Sequence, residues 1–223
     1  MIPAPVISPA VEALRPALVR GLGALECGSS PDLADGLLAY LGLLGRWNAV
    51  YNLSAVRDPG EMLVRHVFDS LSVAPYVGAG ALADLGSGAG LPGIPLALLD
   101  RSRPVTLVES NGKKARFLRT ATRELGLGNV DIVAERAEQA RVEGRPWVIA
   151  RALAPLGELI DLAEPWLGPE GCLLAMKGPG VEAELQSLPG RFLVTARHRL
   201  YVPGLDAERY LMVLKRAPAT PKQ

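Results

Sequence analysis

Apolar residues recur along this chain in two rhythms, and one gives way to the other near residue 80. Before that point the spacing is helical. Leu33, Leu37, Leu38, Leu41 and Leu44 stand three or four apart, which lines one face of a helix. Ser30-Pro31 ahead of them is a start signal: a hydroxyl that accepts an orphan amide, then a ring preset for the first turn. Asp58-Pro59-Gly60-Glu61 is a sharper start, with the Glu placed for a capping box, and the helix after it carries Met62, Leu63, Val67, Phe68 and Leu71. Residues 11–78 are therefore expected to be a helical segment behind a loose, Pro-rich stretch over 1–10. After residue 80, short apolar runs at 81–85, 105–108, 130–133, 147–150 and 172–176 alternate with candidate helices at 93–99, 111–126, 156–167 and 180–188. That alternation predicts βαβ units and a mostly parallel sheet over 79–216. The last two runs, 192–195 and 210–214, have no convincing helix between them and predict an antiparallel pair at one side. Residues 217–223 read as a loose tail.

Composition narrows the class. The chain has 223 residues, 49% hydrophobic and 21% charged, enough for a sizeable core without staples. A net charge of +1 gives no global basic footprint, so any contact with nucleic acid has to be local. Cys27 and Cys172 are far apart and in no metal-like spacing, which points to a reducing compartment and away from a zinc site. The first twenty residues lack early basic residues and are broken by Pro3, Pro5 and Pro9, so they do not read as a signal peptide. No apolar run approaches the ~18 residues of a membrane span. The expectation is a cytoplasmic protein without a metal.

The chemistry concentrates in one turn. The run from Ala83 to Gly93 takes a strand into Gly86, Gly88, Gly90 and Gly93 and then into a helix. Such glycines permit positive φ and let bare backbone approach a ligand at the carboxyl end of a strand. Gly88, Gly90 and Gly93 also satisfy a dinucleotide fingerprint, a weak signal alone. Glu109, about 20 residues further at the next strand end, is placed to hold a ribose hydroxyl pair. Asp84 before the turn does not belong to the dinucleotide pattern. Asp84 followed by spaced glycines and a later strand-end acid resembles the nucleoside site of Rossmann-like, class I S-adenosylmethionine-dependent methyltransferases.

Further segments sharpen the resemblance. They are Arg46-Trp47-Asn48 with Tyr51-Asn52-Leu53, the run Glu61 to His66 with Asp69-Ser70, the run Gly112 to Arg119, and Asp206 to Tyr210. With the turn from Gly88 to Leu96 they resemble the ribosomal RNA small subunit methyltransferase G family, also called glucose-inhibited division protein B, from about residue 35 to 216. Ala83 stands where that family has a larger apolar residue, and Glu109 where Asp is common. The resemblance implies methyl transfer from S-adenosylmethionine to N7 of a guanine in 16S ribosomal RNA, on a class I sheet with a helical N-terminal segment. It implies cofactor contacts at Gly86 and Leu91, with Ser87 and Gly88 in the same turn, at Ala137 and Glu138 after the third strand, and at Arg151 after the fourth. Arg65, His66, Lys177 and Arg209 fall in family-like segments and are candidates to face RNA.

Guanine N7 carries a lone pair and no proton, so no general base is expected; the work is positioning. Lys113, Lys114, Arg116, Arg119 and Arg123 form a basic helix, with 116, 119 and 123 on one face, either a solvated surface or a phosphate contact. Trp47 and Tyr51 read as core residues or as a stacking platform. If His66 must be charged to hold a phosphate, methyl transfer acquires a falling limb near pH ~6.5. The competing classes are a nicotinamide-dependent dehydrogenase on the same glycines, a methyltransferase for a small molecule or protein, and a non-catalytic RNA-binding module.

Overall fold

The computed structural model describes residues 7–28, 30–140 and 143–218. Most of the expected N-terminal stretch (1–6) and C-terminal tail (219–223) thus lies outside the described residues. The N-terminal helices are α1 (Pro9–Glu12), α2 (Arg15–Ala24) and α3 (Pro31–Tyr51). α1 begins inside the stretch expected to be loose, because extended Ser8 precedes Pro9 at the first helical position. Ser30 caps α3 as its sequence predicts, accepting from the Leu33 amide at 3.3 Å. α3 ends at Asn52, whose left-handed φ of 51° turns the chain.

The second start signal also forms. Asp58 accepts from the Glu61 amide at 2.8 Å and opens α4 (Pro59–Met62). The helix then widens into a π-turn over Leu63–Phe68 and closes as α5 (Asp69–Leu71). The apolar spacing of this segment fits an ordinary α-helix equally well, so the widening is a tertiary result. π-turns of this kind recur at functional sites.

The sheet has seven strands: β1 (Leu82–Leu85), β2 (Val105–Val108), β3 (Val130–Val133), β4 (Arg145–Arg151), β5 (Leu167–Lys177), β6 (Phe192–Leu200) and β7 (Arg209–Arg216). Their spatial order is β3-β2-β1-β4-β5-β7-β6. β1 to β5 are parallel, and β7 is antiparallel to both β5 and β6. Helices α6 (Gly93–Leu99), α7 (Gly112–Glu124) and α8 (Leu156–Ala163) connect parallel strands, and α9 (Val181–Leu185) lies between β5 and β6.

The centre of the sheet, β1 and β2 with the inner parts of β4 and β5, is buried on both faces, as parallel strands require, while β3 and β6 at the edges are partly exposed. α2, α3, α6 and α7 pack on the face carrying Leu82, Leu107, Ile149 and Leu174. α8 and Val181 of α9 pack on the opposite face with Ala83, Val148, Leu173 and Met212. β1 feeds β2 on one side, and the strand order reverses between β1 and β4. In an open α/β sheet a crevice forms at that switch point, beyond the strand ends. No helix among the described residues is long and apolar enough to cross a membrane.

Candidate active site

The glycine turn leaves β1 at Gly86, Gly88 and Gly90, with φ of 66°, 58° and 84°. Only glycine adopts that region without strain. Gly90 is tight as well: a Cβ there would stand 2.4 Å from Ile94 Cδ1. At Gly86 it would stand 2.5 Å from Leu153 Cδ1.

Most amides of the turn are already spoken for. Gly88 N–H donates to Glu109 Oε2 at 2.9 Å. Gly90 and Leu91 donate to the Ser87 carbonyl. Gly93 donates to Asp84 Oδ2 at 2.9 Å. A pyrophosphate needs such amides free, so the dehydrogenase reading fails here on physical grounds. A nucleoside that lies along bare backbone does not need them.

Two cavities meet across this turn and share Gly86, Lys114 and Ala152. The smaller, about 370 Å³, is acidic: Glu109, Glu135, Glu138 and Glu158 line it with Ala137, against Lys114 and Arg136. The larger, about 520 Å³, is cationic: Arg65, Lys114, Arg151, Lys177 and Arg209 line it, with Asp69 its acid, and it takes in His66, Ser87, Gly88 and Leu91. Every residue expected to touch the cofactor therefore lines one of the two. Ala152, between Arg151 and Leu153, holds a φ of 50°, a strained value for a residue with a Cβ.

Side chains are fixed one by one. Glu109 directly follows β2 and holds the Gly88 amide through Oε2 and the Asn111 amide through Oε1 at 2.7 Å. Trp166 Nε1 donates to the Ala137 carbonyl at 3.0 Å and so anchors the loop bearing Glu138. Ser87 Oγ donates back to the Asp84 carbonyl at 2.8 Å. Asp84 is wholly buried, and its Oδ1 has no partner. Burial pushes its carboxyl up to about 7.

The expected RNA contacts divide. Arg65 is exposed at the cavity rim. His66 is 6% exposed, with Nε2 2.8 Å from Ser54 Oγ. Burial, helped by the nearby Arg151 charge, lowers its pKa to about 4. So low a pKa disfavours the charged form that would hold a phosphate, and the contact His66 makes is with Ser54. Asn48 holds Ser54 as well, accepting from the Ser54 amide and donating to the Val56 carbonyl, each at 2.8 Å. Lys177 lines the cavity, but its ammonium is spent on the Ala154 carbonyl at 2.6 Å and Glu184 at 2.7 Å. Arg116 and Arg119 are exposed on α7 and line neither cavity. Trp47 packs edge-on against Phe117, with ring centroids 5.6 Å apart, in agreement with a core role.

Sequence reasoning passed over Tyr40, on α3. Its hydroxyl donates to the Ala89 carbonyl at 2.7 Å and ties the helical segment to the glycine turn. A fully buried tyrosine in an apolar stripe was the available signal, because its hydroxyl needs a partner. Asp69, which binds both Arg151 and Arg209, stood out only as part of a family-like segment, with no role assigned.

Comparison with known proteins agrees with this geometry. Residues 34–212 match the family model described as rRNA small subunit methyltransferase G. The chain belongs to this family. A ribosomal RNA small subunit methyltransferase G of Xanthomonas axonopodis pv. citri is 51% identical over 201 residues, 90% of this chain and 94% of that protein. One from Xylella fastidiosa is 54% identical over 182 residues, 81% and 85% of the two chains. Among solved structures, a predicted O-methyltransferase of Agrobacterium tumefaciens aligns with a TM-score of 0.56 at 22% identity, covering 69% of this chain and 82% of its own. Fibrillarin of Aeropyrum pernix, with natively bound S-adenosyl-L-methionine, aligns at 0.50 and 17% identity, over 61% and 66%. These two likenesses extend to the fold, a class I methyltransferase sheet. The family membership carries the enzyme class.

Proposed function

We propose that this member of the rRNA small subunit methyltransferase G family transfers the methyl group of S-adenosylmethionine to N7 of a guanine in 16S ribosomal RNA, in the cytoplasm where small subunits assemble. The observation that carries the reading is the pairing of an acidic and a cationic cavity across one bare backbone wall at Gly86. The acidic side suits ribose hydroxyls and the adenine amino group, and repels RNA phosphates. The cationic side attracts them. When bound, S-adenosylmethionine supplies an electrophilic methyl group on a sulfonium.

The chain's own residues fit that cofactor. Gly86, Ser87, Gly88 and Leu91 offer the backbone wall, and Glu109, Ala137 and Glu138 the nucleoside side. Arg151 stands at the cationic side near the shared wall. Residues 79–216 are the cofactor-binding domain in this reading, and the helical segment 11–78 adds Arg65 and braces the RNA side through His66.

The cationic cavity also suits an acceptor that has no proton to lose. His66 is buried, with its pKa lowered to about 4, and both oxygens of Asp69 are held by arginines. A histidine with so low a pKa is a weak base, and N7 methylation requires none. Alignment of the acceptor and exclusion of water supply the rate, an effect worth roughly 7–11 kcal/mol.

The decisive experiment maps modified bases in ribosomal RNA from cells with and without the protein. The expected result is loss of 7-methylguanine at one position of 16S RNA. An unchanged profile, or loss of a base methylated on another atom, overturns the reading. Glu109→Ala should weaken S-adenosylmethionine binding by about 1–3 kcal/mol, since a charged acceptor and the brace on Gly88 are lost together. Calorimetric titration returning a wild-type affinity would remove Glu109 from the site.

A further inference from the structure

Asp69 follows the π-turn directly, and its side chain is 3% exposed at the wall of the cationic cavity. Each of its oxygens holds a different arginine. Oδ2 accepts from Arg151 Nη1 at 3.0 Å, and Oδ1 from Arg209 Nε at 3.0 Å. One arginine ends β4 and the other begins β7. Arg151 Nη1 also donates to the Arg65 carbonyl at 3.0 Å, and Arg209 Nη1 to the Glu208 carbonyl at 3.1 Å. Arg151 Nε and Nη2, and Arg209 Nη2, have no partner among the described residues. Two guanidiniums are thus pinned by one carboxylate and keep unspent donors at the cavity.

We infer that Asp69 is a positioning residue for methyl transfer: it locks Arg151 and Arg209 side by side, so that their free N–H groups meet an oxyanion of the substrates in one fixed geometry. The inference rests on the functional reading above. Left alone, two like charges this close repel, and each side chain swings. The shared carboxylate cancels the repulsion and fixes two planar forks, the geometry that oxyanions accept bidentately. The oxyanion is an RNA phosphate or the cofactor carboxylate; the chemistry is the same.

The lock has an unusual signature. Asp69→Asn removes a negative charge from a cavity that binds anions, so affinity should hold or rise while the reaction slows. At saturating cofactor and RNA, the single-turnover rate should fall tenfold or more, with KM no higher than in the wild type. A misplacement of about 1 Å can cost 10²-fold. If the oxyanion is a phosphate, the freed guanidiniums should steepen the salt dependence of binding to an RNA oligonucleotide by about 0.7–0.9 in log–log slope. If it is the cofactor carboxylate, S-adenosylmethionine affinity shifts and that slope stays. Asp69→Glu keeps the charge and lengthens the arm, so it should lose rate with an unchanged salt slope. It also serves if the Asn variant does not fold.

In the wild type, without substrate, nuclear magnetic resonance should find the Arg209 Nε–H slow to exchange with water. A fast-exchanging Nε–H overturns the lock. So does a rate within twofold of wild type in either variant at equal folded fraction, or a loss that is fully recovered by more substrate. If the wild-type protein itself methylates no RNA, the functional reading falls, whereas the exchange measurement still judges the lock.

Discussion

At the scale of single residues, two buried ionisable groups pull stability in opposite directions. His66 has a folded pKa near 4, below its ordinary 6.5. Between those values the unfolded chain takes up a proton that the folded chain refuses, so stability falls as pH drops from 6.5 to 4. The full effect is roughly 3 kcal/mol. Asp84, pushed up to about 7 from 3.8, works the other way: stability is lost as pH rises through that window. The windows overlap, so the wild-type profile conceals both. Melting temperatures across pH 4–8 should separate them. His66→Gln should hold up better than wild type at the acid end, and Asp84→Asn better than wild type at pH 8. Profiles parallel to wild type in both variants would mean that neither group is buried as described. The low pKa of His66 also removes the acid limb that its position suggests: the pH profile of saturated methyl transfer in His66→Gln should superimpose on that of wild type near pH 6.5. Of the residues at the site, the glycines, Glu109 and Arg151 were readable from a local pattern. Asp69 belonged to a family-like segment, but its part in holding two arginines was not readable, because they lie 82 and 140 positions away.

At the scale of elements, β2 and β3 run over the residues their apolar runs predict; β2 is buried throughout, and β3, at the sheet edge, keeps three apolar residues around an exposed Asp131. β4, β5 and β6 run longer than predicted, onto residues such as Arg145, Lys177 and Arg199, whose backbones continue the pairing while their side chains are polar. Periodicity registers side chains and cannot see that continuation. It missed the π-turn for the same reason. Tyr40 links two elements that pattern treats separately. Tyr40→Phe leaves the buried Ala89 carbonyl without its donor and should cost about 1–3 kcal/mol in denaturant titration. Cofactor affinity should drop with it, since the turn loses an anchor; full retention of both would show Tyr40 to be filler. α7 is a further test. Arg116 and Arg119 are exposed and have no partner among the described residues. Reversing both charges should flatten the salt dependence of RNA binding by about 1.5 in log–log slope, with cofactor affinity intact. An unchanged slope would make that face of the helix solvent-facing only.

At the scale of the whole molecule, the site draws on nearly the full length of the chain. Tyr40 anchors the turn, Arg65 and Asp69 come from the helical segment, Gly86 and Glu109 from the first two strands, Arg151 from the fourth and Arg209 from the last. The alternation of short apolar runs with helices was enough to predict the sheet, yet the convergence of these residues is a property of its strand order. β7 inserts between β5 and β6 and is the last strand in sequence among the described residues. A ribosome producing this protein has therefore already translated the glycine turn and six other strands of the sheet before Arg209 can reach Asp69. A copy cut short before that strand carries Arg151 but not Arg209, so on the inference drawn above it lacks the paired forks that methyl transfer needs, and the insertion of one strand becomes the step that completes the enzyme.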